Sequence, residues 1–381
     1  MTTPATRAAF DAEARALLAF GRRSRTDHGF GWLDDDGGLS AEHGVHLWIT
    51  GRMTHCFALG HLLGEPDCLS LAEHGVAALL DGPLHDAQRR AWVSAVDLDG
   101  TVRTAPLVSY DHSFVILSAA SAVLAGIPRA EELLEAGLRT FDELWWDEEA
   151  GMVVDARDPA DLAVDPYRGA NANMHTVEAL LAAYSATGAP LHLERASRIT
   201  SRIAEEFVSH AFRPYGSTIG HWLEWSRLMV QVRVACDAAG LARSGLLDTI
   251  PQSLYRQALR EGWGPDGEPG FVYTVDFDGR PVVHERMYWV LCEAIGAAET
   301  LRQVMDDPSY NDDVDAYWAW AQEYLIEAPG QWREELDASN RPACGTWSGK
   351  PDIYHATQAM LIGRLPVTPS FAEGLQRAPR S

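Results

Sequence analysis

The sequence predicts an all-α protein: an (α/α)6 barrel, in which six helical hairpins form a toroid and short β-hairpins lie in the connecting loops. Three observations lead to this prediction. Long segments carry apolar residues at the i, i+3, i+4 spacing of one helix face. Strand-like segments are short and end in turn residues. These turn residues recur about every 50 to 65 residues, which fits two helices and a connector.

The helical prediction is clearest where Ala, Leu and Glu dominate, since these residues favour helix. Four segments have this composition together with one-sided apolar spacing. They are residues 8–24, 176–187, 193–210 and 314–328.

The strand prediction falls on short segments that contain a glycine turn, Asp-Gly or Gly-Gly in three of the four. Four stand out: "WLDDDGG" (32–38), "WVSAVDLDGTVR" (92–103), "WWDEEAGMVVD" (145–155) and "FVYTVDFDGRPV" (271–282). We interpret them as small hairpins that join helices.

The predicted hairpin tips define the repeat. They are Gly37, Gly100, Gly151, Gly216, Gly279 and Asn340. Six tips indicate six repeated units, and a ring of helical hairpins buries the apolar face of each unit against its neighbours. No segment has the composition of a linker between domains, so residues 1–381 are predicted to form a single domain.

The charge balance narrows the function. The chain has 31 basic and 54 acidic residues, a net charge of -23. Binding to nucleic acid or to an anionic membrane needs a concentrated positive field, so neither partner is expected. A small neutral ligand fits this charge better. The N-terminus contains acidic residues and no uninterrupted apolar core, so it does not have the pattern of a signal peptide.

The five cysteines are odd in number and form no CxxC pair. Each lies in or beside an apolar segment: Cys56, Cys68, Cys236, Cys292 and Cys344. A disulfide framework or a zinc site is therefore not expected, and buried reduced thiols in the cytoplasm are the better interpretation.

Most of the unusual polar residues lie in short clusters near predicted helix starts. The segment "GHWLEWSRLM" holds His221 and Glu224, which are three apart and so share a helix face. Asn171 and His175 are four apart in "GANANMHTVEA" and share a face in the same way. The other clusters are "WITGRMTHCFALG" with Arg52, "SYDHSFVIL" with Tyr110, Asp111 and His112, "RMYWVLCEA" with Trp289, and "WSGKPDIYHATQ" with Asp352 and His355.

Each cluster also has a structural interpretation. A lone Arg such as Arg52 often pairs with a structural acid, Asp111 could cap its helix, and a single His is more often a core residue than a catalytic one. His221 and Glu224 could bind a metal ion, but no HExxH, Cys pair or EF-hand loop is present, and we expect none. A glycosidase needs two opposed carboxylates. Nothing marks a pair of carboxylates in this sequence.

Five motifs occur in order across nearly the whole chain: "RMTHCF", "YDHSF", "NANMHTVEA", "GHWLEW" and "KPDIYHATQA". Together they resemble the N-acylglucosamine 2-epimerase superfamily, and most closely its D-mannose isomerase and sulfoquinovose isomerase branch. The chain has Tyr288, Val290 and Leu291 where the epimerase branches have other residues, and "YHATQA" lacks their Arg. These departures argue against the cellobiose 2-epimerase and N-acylglucosamine branches.

The resemblance implies metal-independent and cofactor-independent isomerisation of unphosphorylated sugars, D-mannose with D-fructose and also D-lyxose with D-xylulose. The catalytic residues it implies are His355, His221, Arg52, Glu224 and His175. The substrate-binding residues it implies are Asn171, Tyr110, Trp289, His112 and Asp352. No metal site is implied.

The chemistry explains these residue types. An enediolate mechanism needs a base that titrates near neutral pH, as histidine does, and a fixed cation for the developing oxyanion, as arginine provides. We expect His355 to move the proton between C2 and C1, and His221, oriented by Glu224, to open the sugar ring. Arg52 would bind O1 and O2.

Three alternatives stay open: a mannose–glucose 2-epimerase, an inverting glycoside hydrolase on the same fold, and a non-catalytic sugar-binding toroid. The expected partner is a monosaccharide, in the cytoplasm, and the sequence leaves homo-oligomerisation open.

Overall fold

The computed structural model describes residues 3–207, 217–305 and 307–378. The chain divides into two compact units. Unit 1 comprises Met1–Phe20, Thr200–Lys350 and His355–Thr368. Unit 2 comprises Gly21–Ile199, Pro351–Tyr354 and Pro369–Ser381.

Thirteen helices account for most of the described residues. They are α1 Pro4–Gly21, α2 Leu47–Leu62, α3 Cys68–Asp81, α4 Ser109–Leu124, α5 Ala130–Thr140, α6 Ala170–Thr187, α7 Pro190–Arg202, α8 Ile219–Ala239, α9 Ile250–Gly262, α10 Tyr288–Val304, α11 Ser309–Trp320, α12 Tyr354–Ile362 and α13 Phe371–Arg377. Three of them continue into a π-helical turn, at Phe141–Trp145, Ile203–Phe207 and Ala321–Leu325.

Two kinds of helix alternate within each unit. In unit 2, α2, α4 and α6 are buried over most of their surface and pack side by side, while α3 and α5 pack against them from one face. In unit 1, the buried helices α8 and α10 pack against each other, and each of α9 and α11 packs against them with one face. A helix that is apolar all round must be buried by its neighbours, and an amphipathic helix can bury it with its apolar face. Each unit is therefore built of helical hairpins with an inner and an outer helix.

The strands are short. They are β1 Arg25–Thr26, β2 Gly29–Phe30, β3 Val45–His46, β4 His85–Asp86, β5 Ala91–Trp92, β6 Ala95–Val96, β7 Leu107–Val108, β8 Trp146–Asp147, β9 Met152–Val153, β10 Ala156–Arg157, β11 Ser217–Thr218, β12 Thr274–Val275, β13 Pro281–Val283, β14 Arg286–Met287, β15 Ile326–Ala328, β16 Gln331–Trp332, β17 Glu335–Leu336 and β18 Pro342–Ala343. All their pairings are antiparallel, within two- or three-stranded sheets.

One pairing repeats and positions the inner helices. The strand that directly precedes an inner helix pairs with a strand in the connector that follows the next outer helix. This holds for β3 with β6 and β7 with β10 in unit 2, and for β11 with β12 and β14 with β17 in unit 1. Each such strand fixes the first turn of the helix that follows it, so side chains in that turn have a defined backbone position.

Most predicted hairpin tips are turns of the expected kind. Gly37, Gly100, Gly151 and Gly279 have φ between 66° and 87°, and Asn340 has φ 58°, a region that favours Gly and Asn. Gly216 lies outside the described residues. Three tips share an Asp whose Oδ1 accepts backbone N–H groups two and four residues later, which closes the turn. These are Asp34, Asp276 and Asp337.

The helical predictions hold with one correction. The segment 314–328 was predicted as helix throughout, but its last residues form β15 after a π-helical turn. The β-branched Ile326 begins that strand, and β15 pairs with β16. The segment 193–210 is helical as far as residue 207, beyond which it lies outside the described residues.

Two further predictions need correction. Cys344 is exposed, whereas the other four cysteines are buried, and all five are free. Segment 32–38 forms a turn with an isolated bridge from Leu33 to Leu39 instead of a hairpin of two strands. Among the described residues, none of the helices combines the length and apolar character needed to cross a bilayer.

Candidate active site

The predicted site residues lie near the starts of the inner helices. Arg52 is in the second turn of α2, Tyr110 in the first turn of α4, and His221 in the first turn of α8. Trp289 is the second residue of α10, and His355 is the second residue of α12. This confirms that the clusters directly follow connectors. The unit 1 and unit 2 residues are described separately below.

In unit 1, His355 is oriented by a carboxylate. Its Nδ1 lies 2.8 Å from Glu293 Oε1, and both side chains are buried. Because a carboxylate accepts hydrogen bonds, this contact keeps the proton of the neutral imidazole on Nδ1. The other ring nitrogen, Nε2, then carries the lone pair that a general base needs.

Arg227 fixes Glu293 in turn. Its Nε donates to Glu293 Oε2 at 3.1 Å, and its Nη1 donates to Gln231 Oε1 at 3.2 Å. Its Nη2 donates to Glu224 Oε1 at 3.4 Å. Arg227 and Glu224 are fully buried, where an unpaired charge would be costly. The predicted carboxylate Glu224 therefore belongs to a network that leads through Arg227 and Glu293 to His355.

Trp289 brings the two predicted proton-transfer histidines of unit 1 together. Its ring centroid lies 5.5 Å from that of His221 and 5.7 Å from that of His355. The indole lies over Gly220, where a Cβ would be only 2.3 Å from Trp289 Cζ3. This close approach gives a physical reason for the glycine in "GHWLEW": a side chain at this position would displace the indole.

In unit 2, Arg52 has two hydrogen-bond acceptors and several aromatic neighbours. Its Nη1 donates to Asp352 Oδ2 and its Nη2 to the Tyr110 hydroxyl, both at 3.0 Å. The guanidinium carbon lies 4.4 Å from the Phe114 ring centroid, 4.6 Å from Tyr354 and 4.9 Å from Trp48. Cation–π contacts of this kind strengthen as water is excluded. Arg52 is 5% exposed, so its charge is held in a fixed position.

Asp352 has two roles in this arrangement. Its Oδ2 pairs with Arg52, and its Oδ1 accepts the backbone N–H of Tyr354 at 2.7 Å. The second contact caps the start of α12, as the sequence "PDIYH" predicts. Arg52 was also interpreted as a residue that pairs with a structural acid. The salt bridge to Asp352 fits that interpretation.

His175 and Glu178 form the second polar cluster of unit 2. His175 Nδ1 lies 3.7 Å from Glu178 Oε2, and the Tyr354 hydroxyl donates a short hydrogen bond to the same oxygen. The His175 ring packs edge-on against Tyr110, with centroids 5.1 Å apart. An imidazole nitrogen and a carboxylate at this separation could supply two ligands to a metal ion. The expectation that no metal is needed stays a prediction.

Two further predicted substrate-binding residues of unit 2 differ in their surroundings. Asn171 is exposed, while the buried Asn173 accepts a hydrogen bond from Val153 N and donates one to Gly169 O. His112 is buried, with Nε2 2.9 Å from Gly137 O on α5. Burial lowers the pKa of His112 to about 4. His112 thus has the environment of a neutral structural histidine.

Asp111, next to these residues on α4, does not cap its helix. It is buried and hydrogen-bonded to the Ser94 side chain. Burial raises its pKa to about 7, although the Ser94 hydrogen bond and the Arg52 charge oppose the shift. The carboxyl is therefore partly protonated near neutral pH.

Sequence reasoning gave no catalytic or binding role to several residues that these networks contain. They are Arg227, Glu293, Glu178, Tyr354 and Trp48. Glu293 lies in the segment "RMYWVLCEA", from which only Trp289 was taken as a candidate. Its four-residue spacing from Trp289 was the one signal that could have linked it to the cluster.

The fold and these networks define a member of a known enzyme family. The family model for N-acylglucosamine 2-epimerase (GlcNAc 2-epimerase) matches residues 29–211 and 206–359, and the chain belongs to this family. Its relatives include a protein named D-mannose isomerase from Thermobifida fusca, 44% identical over 97% of both chains. A second D-mannose isomerase, from Pseudomonas cannabina pv. alisalensis, is 38% identical over 95% of this chain and 94% of the relative.

A solved structure shares the fold. A crystal structure of D-mannose isomerase matches with a TM-score of 0.84 and 24% identity, covering 95% of this chain and 99% of that chain. The prediction of an all-α fold of the (α/α)6 barrel class is confirmed by this similarity and by the helical content.

Proposed function

We propose that this protein is a sugar isomerase that interconverts D-mannose and D-fructose. Two relatives that carry the name D-mannose isomerase align over nearly the whole chain, at 44% and 38% identity. The observation in unit 1 that carries the proposal is the pair of imidazoles on one indole, one of them oriented by a buried carboxylate. D-Lyxose, interconverted with D-xylulose, is proposed as a second substrate.

The proton transfer is assigned to His355. Its Nε2 takes the proton from C2 of the open-chain aldose, and the electron pair of the C–H bond moves toward the C1 carbonyl to form an enediolate. The same imidazolium then returns the proton to C1. The O2 hydroxyl proton passes to O1, so that O2 becomes the ketose carbonyl and O1 becomes a hydroxyl. Glu293 stabilises the imidazolium through Nδ1. A positioned proton-transfer residue of this kind contributes roughly 10²- to 10⁴-fold in rate.

His221 is assigned to opening of the pyranose ring, which exposes the C1 carbonyl. It lies against the same indole as His355 and is partly exposed, so it can exchange protons with solvent. Trp289 offers its ring face to the C–H bonds of the sugar, which form the apolar side of a pyranose. Glu224 is assigned a positioning role through Arg227.

Arg52 is assigned to O1 and O2, where negative charge develops in the enediolate. A guanidinium stays ionised and presents its donors in a fixed plane. Arg52→Lys removes one of the two directed hydrogen bonds and the planar contacts with the aromatic rings. We expect kcat/KM to fall about 100-fold or more, since removing one oxyanion donor costs about that much. Tyr110 and His175 are assigned to sugar hydroxyls.

The remaining parts of the proposal concern the protein as a whole. We propose that the chain acts as a single catalytic domain without a metal or other cofactor. We also propose a cytoplasmic location, because four buried free thiols suit a reducing compartment. Assays with and without a chelator test the first point, and a loss of activity with chelator would contradict it.

The decisive experiment follows the C2 hydrogen. Wild-type protein in D₂O should convert mannose to fructose, with deuterium at C1 in the fraction of turnovers in which the His355 imidazolium exchanges with solvent before it returns the proton. His355→Asn should abolish both the ketose and the label without loss of folded structure. His284→Asn is the matched control, because His284 also pairs with a carboxylate, Asp266 at 3.0 Å, but is 43% exposed. The control should retain full activity, and turnover by His355→Asn would refute the assignment.

A 2-epimerase is the second candidate. The observation that favours it is that two imidazoles share one indole, since epimerisation needs proton delivery to both faces of C2. The two functions differ in the first product from mannose, which is fructose for an isomerase and glucose for an epimerase. A time course of both sugars from the first few per cent of conversion distinguishes them.

A further inference from the structure

Glu335 in β17 is a buried carboxylate that binds a loop. Only 1% of its surface is exposed. Gly345 N donates to its Oε1 at 3.0 Å, and Thr346 N and Trp347 N donate to its Oε2 at 2.8 and 2.9 Å. Burial of a carboxylate is unfavourable, and converging backbone N–H groups offset that cost. Segment 345–347 is therefore held by one side chain.

The same strand is attached to the helix that carries Trp289. Glu335 lies opposite Met287 in the pairing of β17 with β14. The backbone N–H of Tyr288, the first residue of α10, donates to Glu334 O at 3.1 Å. Glu335 thus connects segment 345–347 to the backbone that directly precedes Trp289.

Trp347, the last residue of this segment, is also held through its ring. Its side chain interacts with the Tyr273 hydroxyl. Tyr273 packs edge-on against Trp289, with ring centroids 6.1 Å apart and an interplanar angle of 89°. The Trp347 backbone is bound by Glu335 and its ring by Tyr273, yet 40% of the residue is exposed. An indole that is fixed and still partly exposed can offer its ring to a ligand.

We propose that Trp347 is a substrate-binding residue that stacks on the C–H face of the sugar, and that Glu335 is the positioning residue that holds it. The ligand is a neutral monosaccharide, whose axial C–H bonds suit an aromatic face. The inference rests on the proposed isomerase function and adds a residue that determines substrate affinity. Trp347 begins the segment "WSGKPDIYHATQ". The proposed function uses His355 of this segment but gives Trp347 no role.

The first test removes the ring. Trp347→Ala should raise KM for mannose about tenfold and leave kcat within about threefold, because stacking binds the sugar equally before and during proton transfer. Trp347→Phe keeps an aromatic face and should restore most of the affinity. The side chain is partly exposed, so neither substitution is expected to prevent folding.

The second test asks whether Glu335 acts through Trp347. Glu335→Gln keeps one carbonyl oxygen but replaces the oxygen that accepts two N–H groups, so KM should rise severalfold. In the double variant Glu335→Gln/Trp347→Ala, KM should equal that of Trp347→Ala alone, because the loop has no indole left to position. Asp337→Asn is the matched control, since Asp337 also accepts two backbone N–H groups in the same hairpin but is exposed. Its kinetics should not change.

The outcomes separate this inference from the proposed function. If wild-type protein forms no ketose from mannose, both proposals fail. If wild-type protein is active and Trp347→Ala has an unchanged KM, the inference alone is wrong. Additive effects in the double variant, or a fall in kcat with Glu335→Gln, would assign Glu335 a general structural role and overturn the positioning claim.

Discussion

The contact between Gly220 and Trp289 allows a quantitative prediction. In Gly220→Ala the new Cβ would lie 2.3 Å from Trp289 Cζ3 and 2.4 Å from Cη2. Ordinary van der Waals contact begins at 3.4 Å, so the indole must move by about 1 Å. Trp289 contacts both His221 and His355, so the displacement reaches the residues assigned to proton transfer.

The expected loss follows from that displacement. A misplacement of about 1 Å in an active site can cost about 10²-fold in rate, equivalent to about 2.7 kcal/mol of transition-state free energy. The effect on folding stability should be smaller. Overpacking costs about 1 to 3 kcal/mol, but Ala is favoured over Gly in a helix by up to about 1 kcal/mol, and Gly220 lies in α8.

The assay is the initial rate of fructose formation from mannose, with thermal unfolding measured in parallel. Gly245→Ala is the matched control: Gly245 begins a 3-10 turn in unit 1, and a Cβ there meets nothing within 4 Å. Its activity and stability should match wild type. If Gly220→Ala keeps kcat/KM within threefold of wild type, the indole does not position the histidines and the reasoning is refuted.

Two further predictions concern buried ionisable groups. Glu293→Gln should lower kcat about 10- to 100-fold with little change in KM, because the charge-assisted hydrogen bond to His355 is lost. The control is Glu299→Gln, on the same helix but paired with Arg302, which should lower only the melting temperature. Equal kinetics for the two variants would contradict this prediction. Burial lowers the pKa values of His55 and His112 to about 4, below the value of 6.5 for the unfolded chain. Their contribution to stability is therefore complete above pH 6.5 and is lost as pH falls toward 4, on the order of 3 kcal/mol each. The raised pKa of Asp111 acts in the opposite direction over the same range, so the fall in the guanidinium chloride midpoint between pH 7 and pH 4 should be smaller in His112→Gln than in wild type, and an equal fall would contradict the assignment.

The sequence predicted where the polar clusters lie on their helices better than it predicted which residues pair with them. Clusters at helix starts were visible because motif and turn signals are local. The carboxylate that orients His355 was not, since Glu293 is 62 residues away in the sequence. The acid that pairs with Arg52 is 300 residues away. Such partners are determined by helix packing, which spacing along one segment cannot reveal.

Helix geometry alone bears on two of the site predictions. Tyr110 and His112 were both predicted to bind substrate, yet residues two apart on a helix do not share a face. Accordingly, Tyr110 contacts Arg52 and His112 contacts α5. The pair His221 and Glu224 shares a helix, and Glu224 also accepts a hydrogen bond from Arg227, three residues on; the orienting of His221 by Glu224 stays a prediction. Proximity on one face permits an interaction and does not select the partner.

The connectors have an evolutionary consequence. Four inner helices, α2, α4, α8 and α10, receive their starting positions from short strand pairs, while the Asp-based turns at the tips are exposed. Lengthening an exposed loop adds little closure entropy, about 0.6 kcal/mol per doubling. Insertions at these tips could therefore reshape what the protein accepts while its helices stay in register, so relatives with new substrates are expected to diverge first in their loops.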